Sequence, residues 1–534
     1  MGASVRRLAL LTIGLVALAC GPGAPTVATA GANGGSGVAW QLFGPGDYRG
    51  DTLSADFATL GAEERLAVLL LNPAGDDPVA ARLDAAGTEE PMVVAPSRRD
   101  LPDPGATEPA SAHDRSRGLQ EDELRALLRG PREPPNRPAK AAPESFCTVR
   151  GLDWGRRVRK PAVLEWTTGH AVFYADAEDA AHYDASFFPA LGEAWERTIY
   201  PRVTAAFGAE SDVDGNGKLL VFFTHELGVH AGAGWLIGYF GGADLLRARD
   251  DSPDCSGGGS NGADMFFLND VANAEANGYP SDQARDEVFP ETLAHELQHL
   301  INLNQRCLLR SCGGPEETWL NEGLSKLAED EAGFGWTRGR GRGEGARFLV
   351  HSDRVAQGAP GMLGYDGRSL TRWEGDPIGN YQGVHAFLRY LADREGPSLA
   401  RKLVATQAAG QENLEAAVGT PLVVALAEWT SALLLAGDPI AGAAASRASA
   451  ASRFSSQLGY SGPDWSPLEE RVGRLEPLPL GRSGAVVELR TDGFTALATG
   501  TGTGGAARLT IHSGKRPWAV VLRIPSHWAP PPLH

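Results

Sequence analysis

The run His295-Glu296-Leu297-Gln298-His299 constrains this chain more than any other short stretch in it. Two imidazoles four positions apart share a face on a helix, so the run must be helical for both rings to reach one point. Its neighbours supply that helix: Leu293, Leu297, Leu300 and Ile301 recur at i, i+4, i+7 and i+8, an apolar stripe opposite the histidines. One face is built to pack and the other to coordinate a tetrahedral ion such as zinc.

A third ligand is expected downstream. Trp319-Leu320-Asn321-Glu322-Gly323-Leu324-Ser325 opens a second helical pattern, and Glu322 lies 23 positions beyond His299, a gap that suits a turn and a returning helix. A catalytic zinc site wants three protein ligands and one open position, and His295, His299 and Glu322 form such a set. Glu296 adjoins a ligand without needing to bind metal, so it is the candidate general base for water at the ion, and it can later return the proton to a leaving amine. The expected cofactor is therefore one Zn2+, with Glu296 catalytic.

The segments Thr292–Asn302, Glu317–Ser325 and Leu327–Asp330 resemble the hyicolysin-type neutral metallopeptidases, a gluzincin family. The resemblance extends to Asp212–Lys218 before a strand, Gly238-Tyr239-Phe240 with Asp244, Ser260-Asn261, and Tyr381 with Phe387–Asp393, covering roughly residues 145 to 435. It implies a zincin-like α+β domain with zinc-dependent endopeptidase activity on protein or peptide substrates, ligands at His295, His299 and Glu322, and the acid/base at Glu296. One position departs: many gluzincins place an Asp four residues after the ligand Glu to orient a histidine, and here Lys326 stands there. Asp286, Asn302 and Glu329 are the candidates for that orienting role. Tyr381, near a helix start after Gly379-Asn380, is the candidate oxyanion stabiliser and hence the second catalytic residue.

The first 20 residues read as an export signal, with Arg6 and Arg7 ahead of an apolar run from Leu8 to Ala19. Ala17-Leu18-Ala19-Cys20 resembles a bacterial lipobox, so a lipid anchor on Cys20 is the favoured ending, while Ala28-Thr29-Ala30 suits ordinary cleavage. The protein is expected at the cell surface or outer membrane as a lipoprotein, or else secreted. A net charge of -17 gives no support for nucleic-acid binding or for an anionic membrane surface. Outside a reducing compartment, Cys147, Cys255, Cys307 and Cys312 form an even set for disulfides. Three pairings are possible; Cys307 with Cys312, leaving Cys147 with Cys255, is one of them.

At 534 residues, with 67 glycines and 36 prolines, the chain should hold several compact parts separated by loops. The expected division is a signal at 1–20, a flexible tether at 21–39, a small β-rich domain at 40–95 and a linker or propeptide-like segment at 96–145, with a short helical stretch near Leu119–Leu128. A metallopeptidase domain follows at 146–440, mainly helical in its catalytic half, then a linker at 441–474 and a C-terminal β domain at 475–534. An inhibitory role for residues 39 to 145 is one expectation.

Other signals carry less. His225-Glu226-Leu227-Gly228-Val229-His230 spaces its histidines five apart, which turns them away from one another on a helix, so it reads as a loop. Asp212, Asp214 and Asn216 before Gly217 match half a calcium loop, but Phe223 stands where an EF-hand needs a bidentate Glu, so a tight turn is favoured over Ca2+. Arg338, Arg340 and Arg342 among glycines read as a flexible loop. Two competing classes remain: a zinc-retaining binding protein without activity, against which the intact Glu296 argues, and a metal-dependent hydrolase of a non-peptide substrate.

Overall fold

A computed structural model describes residues 39–72, 79–91, 112–130, 144–228, 236–334, 369–372, 377–434, 478–480, 483–489 and 493–525. The stretches expected as export signal with Cys20, tether, 337–345 loop and 441–474 linker, and His230, lie outside the described residues.

The fold is mixed α+β. Short runs such as Ala171–Asp176, Leu219–Thr224 and Met265–Asn269 are buried along their whole length and apolar up to their last residue because they are parallel strands covered on both faces. They sit inside a six-stranded sheet ordered Ser145–Arg150, Asp153–Thr167, Ala171–Asp176, Leu219–Thr224, Met265–Asn269, Gly238–Phe240. Phe173, Val221 and Phe266 face the large core beneath the helices, while Val172, Leu220, Met265 and Phe267 face a smaller core on the other side. Helical segments Phe187–Ala194 and Tyr200–Phe207, joined by a π-helical turn at Trp195–Ile199, pack into the large core through Leu191, Trp195, Val203 and Phe207.

Two long helices pack against each other in the same core. Phe289–Leu303 carries the His-Glu-Leu-Gln-His run, and Thr318–Ala332 returns alongside it with Glu322. A π-helical turn at Asn304–Leu308 ends the first helix, and the Cys307–Cys312 disulfide closes the turn behind it. Cys147 is joined to Cys255, tying the first strand of the sheet to the loop before Met265–Asn269. Pro377–Glu395 crosses the returning helix at Gly323, where an added Cβ would come within 2.7 Å of both Val384 and Leu388.

The terminal strands differ from the two separate β domains expected at the ends of the chain. Ala39–Phe43, Glu64–Asn72, Leu478–Leu480, Gly493–Thr501 and Trp518–Pro525 form one five-stranded sheet. Thr52–Phe57, Val79–Ala86, Ala485–Leu489 and Ala507–His512 form a four-stranded sheet against it. Both ends of the chain thus build a single sandwich. The physical reason lies in the Glu64–Asn72 strand: Leu66, Val68 and Leu70 fill the inter-sheet core, while Ala67, Leu69 and Leu71 pack into the core of the helical body. A strand apolar on both faces cannot finish burying itself within a small N-terminal unit. Taking away residues 39 to 145 would therefore pull four strands out of two sheets.

Within the segment expected as a linker, Ala112–Arg129 is a helix docked on the body. Gln120 Nε2 donates to the Phe240 carbonyl at 2.9 Å, and Glu123 accepts from Trp154 Nε1 and pairs with Arg157, each at 2.7 Å.

Candidate metal centre

The motif helix presents its two histidines as its spacing requires, and the returning helix brings one carboxylate oxygen to both. Glu322 Oε2 lies 3.2 Å from His295 Nε2 and 3.6 Å from His299 Nε2. The three ligand-type atoms lie within 4.8 Å of one another, so the group can hold a metal ion. All three side chains are largely but not wholly enclosed, with 12–15% of each exposed.

Each imidazole is held from behind. His295 Nδ1 contacts Glu329 Oε1 at 2.7 Å. His299 Nδ1 lies 3.1 Å from Ser325 Oγ, which donates to Gln298 Oε1 at 2.6 Å. Glu322, Ser325 and Glu329 fall at i, i+3 and i+7, so a single face of the returning helix supplies both the carboxylate between the imidazoles and the groups that orient the rings. The opposite stripe, Leu320, Leu324 and Leu327, is buried in the core and fixes the helix rotation.

Lys326 belongs to the same cluster. Its ammonium pairs with Glu329 and, at 2.9 Å, with Glu291 from the first turn of the motif helix. Burial by itself raises a carboxyl's pKa, but Lys326 and His295 outweigh it and hold Glu329 below the ordinary range. Burial likewise opposes charge on His295, yet the hydrogen bonds to Glu322 and Glu329 raise its imidazole to about 10. Glu322 is pulled well below the usual carboxylate range by His299 and His295 despite its burial. The carboxylates of Glu322 and Glu329 thus favour positive charge at His295.

Glu296 is buried and its pKa is pushed up by that burial, with His295 and His299 pulling the other way. Tyr381 sits with its ring centroid 6.3 Å from that of His295, so the structure brings it to the rim of the same cluster. Of the three expected orienting residues, Glu329 alone contacts a motif histidine. Asn302 donates to Asn321 at 2.7 Å, linking the two helices beside Glu322, and Asp286 pairs with its neighbour Arg285 at the surface. Ser325 and Gln298 escaped the sequence reading, although the i+3 spacing from Glu322 and adjacency to His299 were available as signals.

His225 lies in a short 3-10 turn after its strand, as a loop residue, and its Nδ1 contacts Asp179 at 2.8 Å. Asp212 and Asp214 cap a turn through the Gly217 and Asn216 amides, with Asp264 close by, and Phe223 is buried in the strand. Among the described residues no helix is long and apolar enough to cross a membrane.

No family model matches the chain. Over 233 residues, 43% of its length, it is 25% identical to the neutral metalloprotease ShpI of Staphylococcus hyicus. The match spans 47% of that relative, about half its length. This distant, partial likeness points to a metalloprotease-like function.

Proposed function

We propose that the chain is an exported zinc-dependent endopeptidase whose metal is held by His295, His299 and Glu322. The observation that carries this reading is the approach of His295 Nε2 and His299 Nε2 to the same Glu322 oxygen, with both opposite ring nitrogens engaged by Glu329 and Ser325. Two imidazoles and one carboxylate are a zinc donor set, and rings fixed from behind present their Nε2 lone pairs to the ion. When bound, zinc supplies Lewis acidity that lowers the pKa of a water molecule and polarises a peptide carbonyl.

The chain's own residues do the rest. Glu296, raised in pKa by burial, accepts the proton of the attacking water and passes it to the amine that leaves. Glu329, charged and anchored by Lys326, keeps His295 in the tautomer with a proton on Nδ1. Tyr381, beside His295, donates its hydroxyl to the oxyanion that develops at the scissile carbonyl. The two disulfides fit an oxidising destination, in line with the export signal and with a lipid anchor on Cys20.

Casein cleavage and zinc content, measured side by side on the full exported chain and its Glu296→Gln variant, test this. Wild-type cleavage that disappears in the variant while zinc stays bound is the expected result. A variant that still cleaves casein overturns the assignment of Glu296, and a wild type without zinc at His295 and His299 overturns the reading as a whole.

A further inference from the structure

The returning helix Thr318–Ala332 has two polar faces. Glu322, Ser325 and Glu329 contact the motif helix, while Gly323 and Asp330, seven positions apart, meet the crossing helix Pro377–Glu395. Gly323 makes room for that crossing, because any side chain there would collide with Val384 and Leu388.

Asp330 meets His385 across the two helices. His385 Nε2 lies 2.7 Å from Asp330 Oδ2, and the side chains are 1% and 0% exposed. One turn farther along, Arg389 donates to Glu331 at 3.0 Å. A hydrogen bond to a buried carboxylate is directional, and a buried carboxylate stripped of its partner is costly. Slipping the crossing helix by one residue would turn its side chains by about 100° and carry His385 away from Asp330. The pair therefore sets the rotation and register of the crossing helix, which apolar packing alone specifies less sharply.

Tyr381 stands one turn before His385. Tyr381, Val384, His385 and Leu388 fall at i, i+3, i+4 and i+7, a single face of the crossing helix. The Tyr381 ring reaches past the returning helix to His295, with centroids 6.3 Å apart. It is only half-buried and lies in the second turn of a helix that begins at Pro377, and helix ends fray. Its place beside the metal centre depends on the anchor one turn behind it.

We infer that His385, bound to Asp330, is the positioning residue that holds Tyr381 at the metal centre; this deepens the endopeptidase reading and rests on Tyr381 as its oxyanion donor. His385 is buried and acts through the helix it locks, not on the substrate. An oxyanion donor works only when fixed where charge develops, so a shift of about 1 Å there costs as much as roughly 100-fold in rate.

A double-mutant cycle on casein turnover by the full chain tests this. Tyr381→Phe is expected to lower kcat by about 10^2- to 10^3-fold. His385→Leu should lower it by roughly 10- to 100-fold with KM nearly unchanged. In the Tyr381→Phe background the same substitution should cost less than about 2-fold, because no hydroxyl is left to misplace. His385→Gln, whose amide can still donate to Asp330, should recover most of the loss. An equal loss in both backgrounds marks a merely structural pair and overturns the inference, as does full kcat in folded His385→Leu. If His385→Leu fails to fold, Asp330→Asn goes through the same cycle, and its loss must likewise vanish with the Tyr381 hydroxyl. Wild-type kcat in Tyr381→Phe removes Tyr381 from the chemistry and overturns the inference at its base. If wild type itself leaves casein intact, the endopeptidase reading falls, and crystal structures of wild type and His385→Leu decide the positioning role: a Tyr381 ring displaced from His295 in the variant is expected, and an unmoved ring overturns it.

Discussion

The helices Phe289–Leu303 and Thr318–Ala332 bury Glu296, Gln298, Lys326, Glu329 and Asp330 among their leucines. The terminal sandwich buries a comparable set of leucines, valines and alanines, but its described buried polar residues are Asn72, Thr88, Thr495, Thr499 and Ser513, none of them charged. Taking a charge out of water is expensive, and a paired buried charge is rarely a net gain in stability. Buried charge is thus confined, among the described residues, to the body that carries the candidate centre, and the sandwich is left to supply apolar burial. The two regions meet at the Glu64–Asn72 strand, whose Leu69 packs into the same core as Leu293 and Leu324.

Substitutions should therefore separate chemistry from stability by region. Glu296→Gln is expected to have the largest effect, lowering casein turnover by on the order of 10^2 to 10^4 with little change in the urea midpoint. Leu69→Ala, in the sandwich, should do the reverse: a loss of about 2 to 5 kcal/mol in urea unfolding, with zinc per folded chain unchanged. Loss of zinc from folded Leu69→Ala protein would break the comparison. Glu329→Gln should weaken zinc binding by roughly 10- to 100-fold in competition with a chelator, because it removes the charge that orients His295. Wild-type affinity in that variant would mean the contact is structural only.

The smallest effect concerns a buried carboxylate away from the cluster. Burial raises Asp244 to about 7, although it accepts hydrogen bonds from the Asn261 amide and side chain. Its folded pKa lies above the unfolded value, so the native state binds the extra proton and stability falls as pH rises from about 4 toward 7. Asp244→Asn should flatten that part of the stability profile. An unchanged slope between those pH values would show that Asp244 does not titrate across them.

The motif helix and its returning partner were legible because the signal is local. Imidazoles at i and i+4, an apolar stripe, and a carboxylate after one turn fix both helices and the meeting of His295, His299 and Glu322. Glu329 was legible as one of three candidates, since sequence spacing places it on the helix without saying which carboxylate reaches the ring. The sandwich was legible only as strands. Gly493–Thr501 and Trp518–Pro525 pair with a strand more than 400 positions earlier, and no local pattern encodes a partner at that distance.

Anomalous X-ray diffraction at the zinc edge, on crystals of the full chain grown with zinc, shows directly whether the cluster holds the metal. A peak coordinated by His295 Nε2, His299 Nε2 and Glu322 is the expected result. Zinc bound elsewhere, with these three side chains making no contact to it, would contradict it.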